Sequence, residues 1–296
     1  MEKPGKPVDV EVLSLNTWLR PSPIGTDRVE RAERIGKSLP EYEIVGLQET
    51  FSDDSEVIGQ TAKAQGSHPY GYRQDKGGFL TSNSGLTTLS KYEILEKDFK
   101  PFSYSSGTDS LSRKGITFSR IEVPGVGPVD VYNTHYQAGS SPELPWSVKA
   151  LNWMSPLTAV LPLGLSKQQI RLTQNQELEA FIDQHDRGNP VLVTGDFNSQ
   201  PDSPVYKDLL ARTGLKDSYR EVHGDQPGYT SDATLNPHLD ADEGRETLDY
   251  VFYRPGKTVD VRAEASELTH TEPIDGMFVS DHFGVHSRLR FEAKAS

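Results

Sequence analysis

The chain has 296 residues, 34% of them hydrophobic and 25% charged, enough for one large domain or two small ones. The absence of cysteine excludes disulfides and thiolate metal sites. A formal charge of −12, from 31 Lys+Arg against 43 Asp+Glu, makes nucleic acid an unexpected partner unless bound cations or a local basic patch reverse the field. No stretch reaches the roughly 18 uninterrupted apolar residues of a membrane helix, and the N-terminal Met1-Glu2-Lys3-Pro4-Gly5-Lys6-Pro7 has no apolar signal core. A polar leader of this kind suits a mature exported N-terminus slightly better than a cytoplasmic start, so secretion with the signal removed is expected.

Residues 8–15 place Val8, Val10, Val12, Leu13 and Leu15 among polar residues, which predicts a strand delivering Asn16 to a rim. Residues 27–39 carry Val29, Ala32, Ile35 and Leu39 with charges between, a helix capped by Thr26 or Asp27. Residues 44–48 form a buried strand ending at Glu49. Short β-runs follow over 85–90, 115–123, 129–134 and 191–195, with an amphipathic helix over 172–184 between the last two. Strands over 247–253 and 279–289 complete the pattern. No repeat and no linker divides the chain, so the expectation is a single α/β domain over 1–296, with a flexible leader over 1–7 and two packed sheets flanked by helices. A monomer is expected.

Polar residues with chemical capability fall at the predicted strand ends: Asn16, Glu49, Asn133 and His135, Asp196 and Asn198, Asp249, Asp281 and His282. Singly, each has an ordinary explanation. Asn16 suits an Asx turn, Glu49 a solvated carboxylate, and Gly195-Asp196-Phe197-Asn198 a turn after a buried strand. Jointly, hard oxygen ligands, amide donors and imidazoles at strand ends are what metal-assisted attack on a phosphate ester requires.

Their order, carried by Leu15-Asn16, Leu47-Gln48-Glu49, Asn133-Thr134-His135, Gly195-Asp196-Phe197-Asn198, Leu248-Asp249-Tyr250 and Ser280-Asp281-His282, resembles the endonuclease/exonuclease/phosphatase family of deoxyribonuclease-like phosphoesterases. The resemblance runs from Val8 to Arg290. It implies a four-layer α/β-sandwich of two mostly antiparallel sheets, with one or two Mg²⁺-type ions (Mn²⁺ or Co²⁺ as substitutes) between the sheet edges. On that reading Glu49, assisted by Asn16, holds the main cation. His282, oriented by Asp249, takes a proton from the attacking water, and Asp196 positions that water or a second ion. Asn198 and His135 donate to the phosphorane, His135 or a metal-bound water aids the leaving alkoxide, and Asp281 orients the site electrostatically. The implied metal set is Asn16, Glu49, Asp196, Asn198, Asp281 and His282.

Three further stretches are similar to the bacterial neutral sphingomyelinase branch: Leu111-Ser112-Arg113-Lys114-Gly115, Thr134-His135-Tyr136-Gln137-Ala138 and Asp232-Ala233-Thr234-Leu235-Asn236. They imply hydrolysis of sphingomyelin, or a related phosphocholine lipid, to phosphocholine and ceramide or diacylglycerol. Lys114, Asn133, Asp232 and Asn236 are expected to join substrate binding. Read from the residues alone, Lys114 is either a phosphate contact or an exposed strand-end lysine, and Asp232 and Asn236 either line the cleft or are turn residues. An apolar insertion over 138–165, with Trp146 and Trp153, either meets a lipid surface or packs as a lid; peripheral membrane contact is the expectation. The chain departs from the branch before Ser280, where residues 267–279 offer Met277 and Phe278 and no aromatic-tipped hairpin. Two alternatives stand: a divalent-metal endo- or exonuclease on the same core, against which the acidic Asp240-Ala241-Asp242-Glu243 counts, and an inactive lipid- or partner-binding module, against which the intact set of site residue types counts.

Overall fold

The computed structural model describes residues 6–20, 26–74, 82–139 and 165–294. In chain order the elements are β1 (Val8–Asn16), α1 (Arg28–Ser38), β2 (Ile44–Gln48), α2 (Glu56–Ala64), β3 (Tyr70–Arg73), β4 (Thr87–Ser90), β5 (Ile94–Pro101), β6 (Gly115–Val123), β7 (Gly127–His135) and α3 (Lys167–His185). They continue with β8 (Val191–Asp196), α4 (Pro204–Thr213), β9 (Lys216–Asp217), α5 (Ser218–His223), β10 (Ser231–Asp232), β11 (Arg245–Glu246), β12 (Asp249–Arg254), β13 (Val259–Thr269) and β14 (Gly284–Ala293). Most of the apolar insertion, residues 140–164, lies outside the described residues, and so does its expected membrane contact.

Two six-stranded sheets form the centre, ordered β13-β14-β1-β2-β4-β3 and β5-β6-β7-β8-β12-β9. Each is antiparallel except for one parallel pair, β1 with β2 and β7 with β8. Strand alternation divides the apolar residues among three cores. Leu13, Leu15, Val45 and Leu47 meet Ala32, Ile35, Ile58 and Ala62 of α1 and α2 on one outer face. Phe118, Tyr132, Val193 and Phe252 meet Leu178, Phe181 and Leu209 of α3 and α4 on the other. Val10, Val12, Ile44, Val129, Val131, Leu192, Val251 and Leu289 fill the layer between the sheets. The result is a four-layer α/β-sandwich.

Toward the ends of β1, β2, β7 and β8 the inward residues turn polar. Ser14 Oγ accepts from the Gly195 amide at 3.0 Å and Gln48 Nε2 donates to Asn133 Oδ1 at 2.8 Å. Asn133 Nδ2 in turn donates to the carbonyls of Leu47 and Thr87 at 2.9 and 3.1 Å. The sheets approach so closely that a Cβ on Gly46 would lie 1.9 Å from Thr194 Oγ1, which only glycine avoids. These buried hydrogen bonds fasten the sheets directly beneath the rim.

Element limits differ from expectation where side chains take over backbone bonds. Asp27 is the residue before α1, but with φ 49° it sits in the left-handed region and makes no side-chain cap. The helix expected over 172–184 starts at Lys167, because Ser166 and Gln169 form a reciprocal capping box. The strand expected from 279 starts at Gly284, since the Ser280 side chain turns the chain by accepting the His282 amide at 3.2 Å. The strand expected from 247 starts at Asp249, because Thr230 Oγ1 accepts the Leu248 amide at 3.0 Å.

Candidate active site

The rim above the polar layer collects the ends of β1, β2, β7 and β8, the start of β12 and the loop before β14. Antiparallel pairing sets Asp249 opposite Asp196, and the parallel register sets His135 beside Asp196. The loop before β14 is fixed at three points: Ser280 Oγ donates to the Asn16 carbonyl at 2.6 Å, Asn236 Nδ2 donates to the Ser280 carbonyl at 2.9 Å, and the Phe283 amide bonds the Thr230 carbonyl at 2.7 Å. It thereby presents His282 Nδ1 to Asp249 Oδ2 at 2.7 Å, leaving Nε2 for another partner.

Asp196 is the hub. Its Oδ2 accepts from Asn16 Nδ2 at 3.1 Å and lies 3.3 Å from His135 Nε2, while Oδ1 accepts the Asn198 amide at 2.9 Å. That last bond closes an Asx-type turn that holds Asn198 at φ 50°, a left-handed conformation asparagine tolerates. The Asn198 amide nitrogen reaches toward the Tyr136 carbonyl at 3.4 Å.

Glu49 is buried, at φ 57°, and both its oxygens are held by Arg20: Nε to Oε2 and Nη2 to Oε1, each 2.5 Å. Burial opposes ionisation there, yet the guanidinium more than offsets it and holds the carboxyl below its ordinary value. Asp196 behaves oppositely. Burial, with the neighbouring charge of Asp249, pushes it up to about 7. Burial also raises Asp281, with Glu49 adding to the shift. His282 resists burial and is held well above the ordinary imidazole value by Asp249, Asp281 and Asp196, whereas burial and the Lys114 charge hold His135 well below it.

Several expected contacts are corrected by this geometry. Asn133 is fully buried and its amide is spent between the sheets, so it reaches no substrate. Lys114 is neither an exposed lysine nor a direct phosphate contact. Its ammonium has three donors, which meet Asp109 Oδ1 at 3.0 Å, the Tyr136 carbonyl at 3.1 Å and His135 Nε2 at 3.0 Å. Lys114 therefore fixes His135 and, by filling Nε2, leaves Nδ1 as a buried donor with no partner among the described residues. Asn236 gives its nitrogen to Ser280 and its oxygen to the His238 amide at 3.1 Å, positioning the His282 loop. Asp232 is consumed by Thr234, at 2.5 Å from its Oγ1, and by Arg245 Nε at 2.8 Å. Arg20, Asp109 and Thr230 went unrecognised in the sequence, because each acts through a partner distant in the chain and none has a local spacing that marks it.

The donor set suits a hard divalent cation. Asp196, Asp249 and His282 place ligand atoms within 4.8 Å of one another, and Asp249 Oδ1 is buried without a hydrogen-bond partner. Asp196 and Asp281, whose ionisation is resisted by burial and by neighbouring carboxylates, are relieved by added positive charge, which would also lower His282 toward the range of a working base. The six expected metal residues fall into two groups here, Asn16, Asp196 and Asn198 linked directly around Asp196, and Glu49 held apart by Arg20, with Asp281 and His282 on the loop facing both.

The family model described as Endonuclease/Exonuclease/phosphatase family matches residues 13–282. The chain belongs to that family. A sphingomyelinase of Mycobacterium tuberculosis is 25% identical over 264 residues, covering 86% of this chain. The chain spans 47% of that protein's length. Among solved structures, Staphylococcus aureus beta toxin superposes with a TM-score of 0.74 at 21% identity, over 94% of this chain and 99% of the toxin. D. rerio TDP2, in complex with a single-strand DNA product, superposes with a TM-score of 0.70 at 16% identity, over 95% of this chain and 98% of its own. These superpositions show the shared fold; residue chemistry must choose among the family's activities.

Proposed function

We propose that this chain is a divalent-cation-dependent phosphodiesterase that hydrolyses sphingomyelin or a related phosphocholine lipid, releasing phosphocholine. The observation carrying the reaction type is the His282–Asp249 pair, with Nδ1 engaged at 2.7 Å and Nε2 left over, in a cluster with Asp196. An imidazole locked this way accepts a water proton at a defined atom, and its carboxylate partner stabilises the imidazolium that results. Asn198 supplies its amide toward the negative charge that grows on the phosphoryl oxygens, and His135 stands beside Asp196 through Nε2. Lys114, anchored by Asp109, holds the His135 ring in place at Nε2. Glu49, Asp196 and Asp281, with the Asn16 amide, would hold the cation, Mg²⁺ in this proposal; when bound, it supplies Lewis-acid polarisation of a phosphoryl oxygen.

The lipid substrate rests on the sphingomyelinase name of the mycobacterial relative and on the three stretches around Lys114, His135 and Asp232. The charge of −12 weighs against a nucleic acid. Phosphocholine release from sphingomyelin and phosphatidylcholine micelles, with Mg²⁺ and with EDTA, tests the proposal. Mg²⁺-dependent release from sphingomyelin is expected. Nicking of plasmid DNA without release from either lipid would discard the lipid reading and keep the catalytic residues.

A further inference from the structure

Among the described residues, Arg20 is the site-facing cation whose bonds run to a carboxylate expected to hold the metal, and neither composition nor motif spacing marks it. Its Nε and Nη2 bond both oxygens of Glu49 at 2.5 Å, one bond to each, so a divalent cation drawn to Glu49 meets the charge of a guanidinium already beside it. The two partners are unequally mobile in principle. The Glu49 side chain is 2% exposed on a strand end, while that of Arg20 is 40% exposed on the loop after β1. When the pair opens, it is therefore the arginine that moves, into solvent at the cleft mouth, and Glu49 that stays.

The loop carrying Arg20 is itself anchored from below. Arg31 of α1 donates Nη1 to the carbonyls of Thr17 and Val279 at 2.8 and 3.0 Å, and Nη2 to the Trp18 carbonyl at 2.8 Å. This ties the backbone before Arg20 to the backbone before Ser280-Asp281-His282, so the guanidinium has a fixed base and a free end. Its charge also acts on Asp281, Asp109 and His135, the groups around the cleft. A planar fork with paired donors suits a phosphodiester oxygen pair as well as it suits a carboxylate.

The geometry points to Arg20 as a displaceable counter-ion: it neutralises Glu49 while no divalent cation is bound, yields that carboxylate to the cation, and then turns its guanidinium to the phosphate of the substrate. The inference rests on the phosphodiesterase reading of the site and adds to it a positioning and specificity role. Cation and phosphate then bind in a favoured order, because the first frees the group that holds the second.

The test separates the two steps by binding measurements that need no lipid. Mg²⁺ is titrated calorimetrically into the wild-type protein, Arg20→Gln, Arg20→Lys and Glu49→Gln, and inorganic phosphate is then titrated into each at saturating Mg²⁺. Removing the competitor is expected to tighten Mg²⁺ binding about tenfold in Arg20→Gln while weakening phosphate about tenfold, with Arg20→Lys, which retains charge but not the fork, between them. On sphingomyelin, the Arg20→Gln defect should fall on KM more than on kcat. Unchanged or weaker Mg²⁺ binding in both Arg20 variants overturns the counter-ion role, and unchanged phosphate binding overturns the transfer to substrate. Wild-type Mg²⁺ affinity in Glu49→Gln would instead remove Glu49 from the cation site, a separate failure of the underlying reading.

Discussion

The layer between the two sheets has two ends built from the same strands, and they obey different physics. At one end Val10, Val12, Val131, Leu192 and Phe291 are dry and interchangeable in kind: their contribution is buried area. At the other, Asn16, His135, Asp196 and Asp249 are equally buried, but each atom has a named partner or conspicuously lacks one. Between them Ser14, Gly46, Gln48, Asn133 and Thr194 change the currency from area to hydrogen bonds within two residues of strand. The apolar end holds the sheets together and the polar seam sets their spacing. Charge can therefore be concentrated at the rim without the sheets parting.

That comparison breaks first at His282. His282→Ala should lower kcat by about 10²–10⁴-fold in the protein that remains folded, because the loss is of a general base. Near-wild-type turnover would place the base elsewhere. At the other end Leu192→Ala should reverse the pattern, costing about 2–5 kcal/mol of stability by urea denaturation while the folded fraction keeps its specific activity. An activity loss exceeding the loss of folded protein would show that the two ends are not separable.

Stability against pH sharpens the contrast with histidines remote from the rim. Burial depresses His270, to which the His286 charge adds, and also His68, to which Lys91 adds, each to about 4. Both stay neutral in the fold while the unfolded chain takes up protons below about pH 6.5. Stability should therefore be full above that pH and fall as pH drops toward 4, by up to about 3 kcal/mol for His270 alone. His270→Gln should flatten the curve over that window, and an unchanged slope would assign acid sensitivity to other groups.

The smallest expected effect lies in the seam. Asn133→Ala removes one of the acceptors of Gln48 Nε2 and the side-chain donor to the Leu47 and Thr87 carbonyls, a cost of about 1–3 kcal/mol in stability. KM for lipid should not change. A raised KM with unaltered stability would restore the substrate contact first expected of Asn133.

Much of the frame was legible in the sequence because strand alternation and polar strand ends are local signals. The runs at 8–15, 44–48, 115–123 and 191–195 lie within one residue of β1, β2, β6 and β8 at each end. Other elements left weaker traces. In β5 and β13 the strands lie at sheet edges with half-exposed faces, so Ile94–Pro101 and Val259–Thr269 show little apolar alternation to read. The short α2 and α4 have too few turns for a clear period.

The site divides the same way. Residue identity and position near strand ends marked Asn16, Glu49, His135, Asp196, Asn198, Asp249, Asp281 and His282 as candidates for chemistry; Asn16, His135, Asp196 and Asp249 end or begin strands, and the others lie in the loops beside them. What each atom does was decided only in three dimensions. A hydrogen-bond partner is a matter of distance and direction across sheets, and no local pattern encodes that Lys114 would be spent on His135, Asn133 on Gln48 and Leu47, or Asn236 on Ser280. Arg20 shows the limit most clearly: it lies 29 positions before Glu49, and only the turn after β1 brings its guanidinium onto a carboxylate that the family resemblance assigns to a metal.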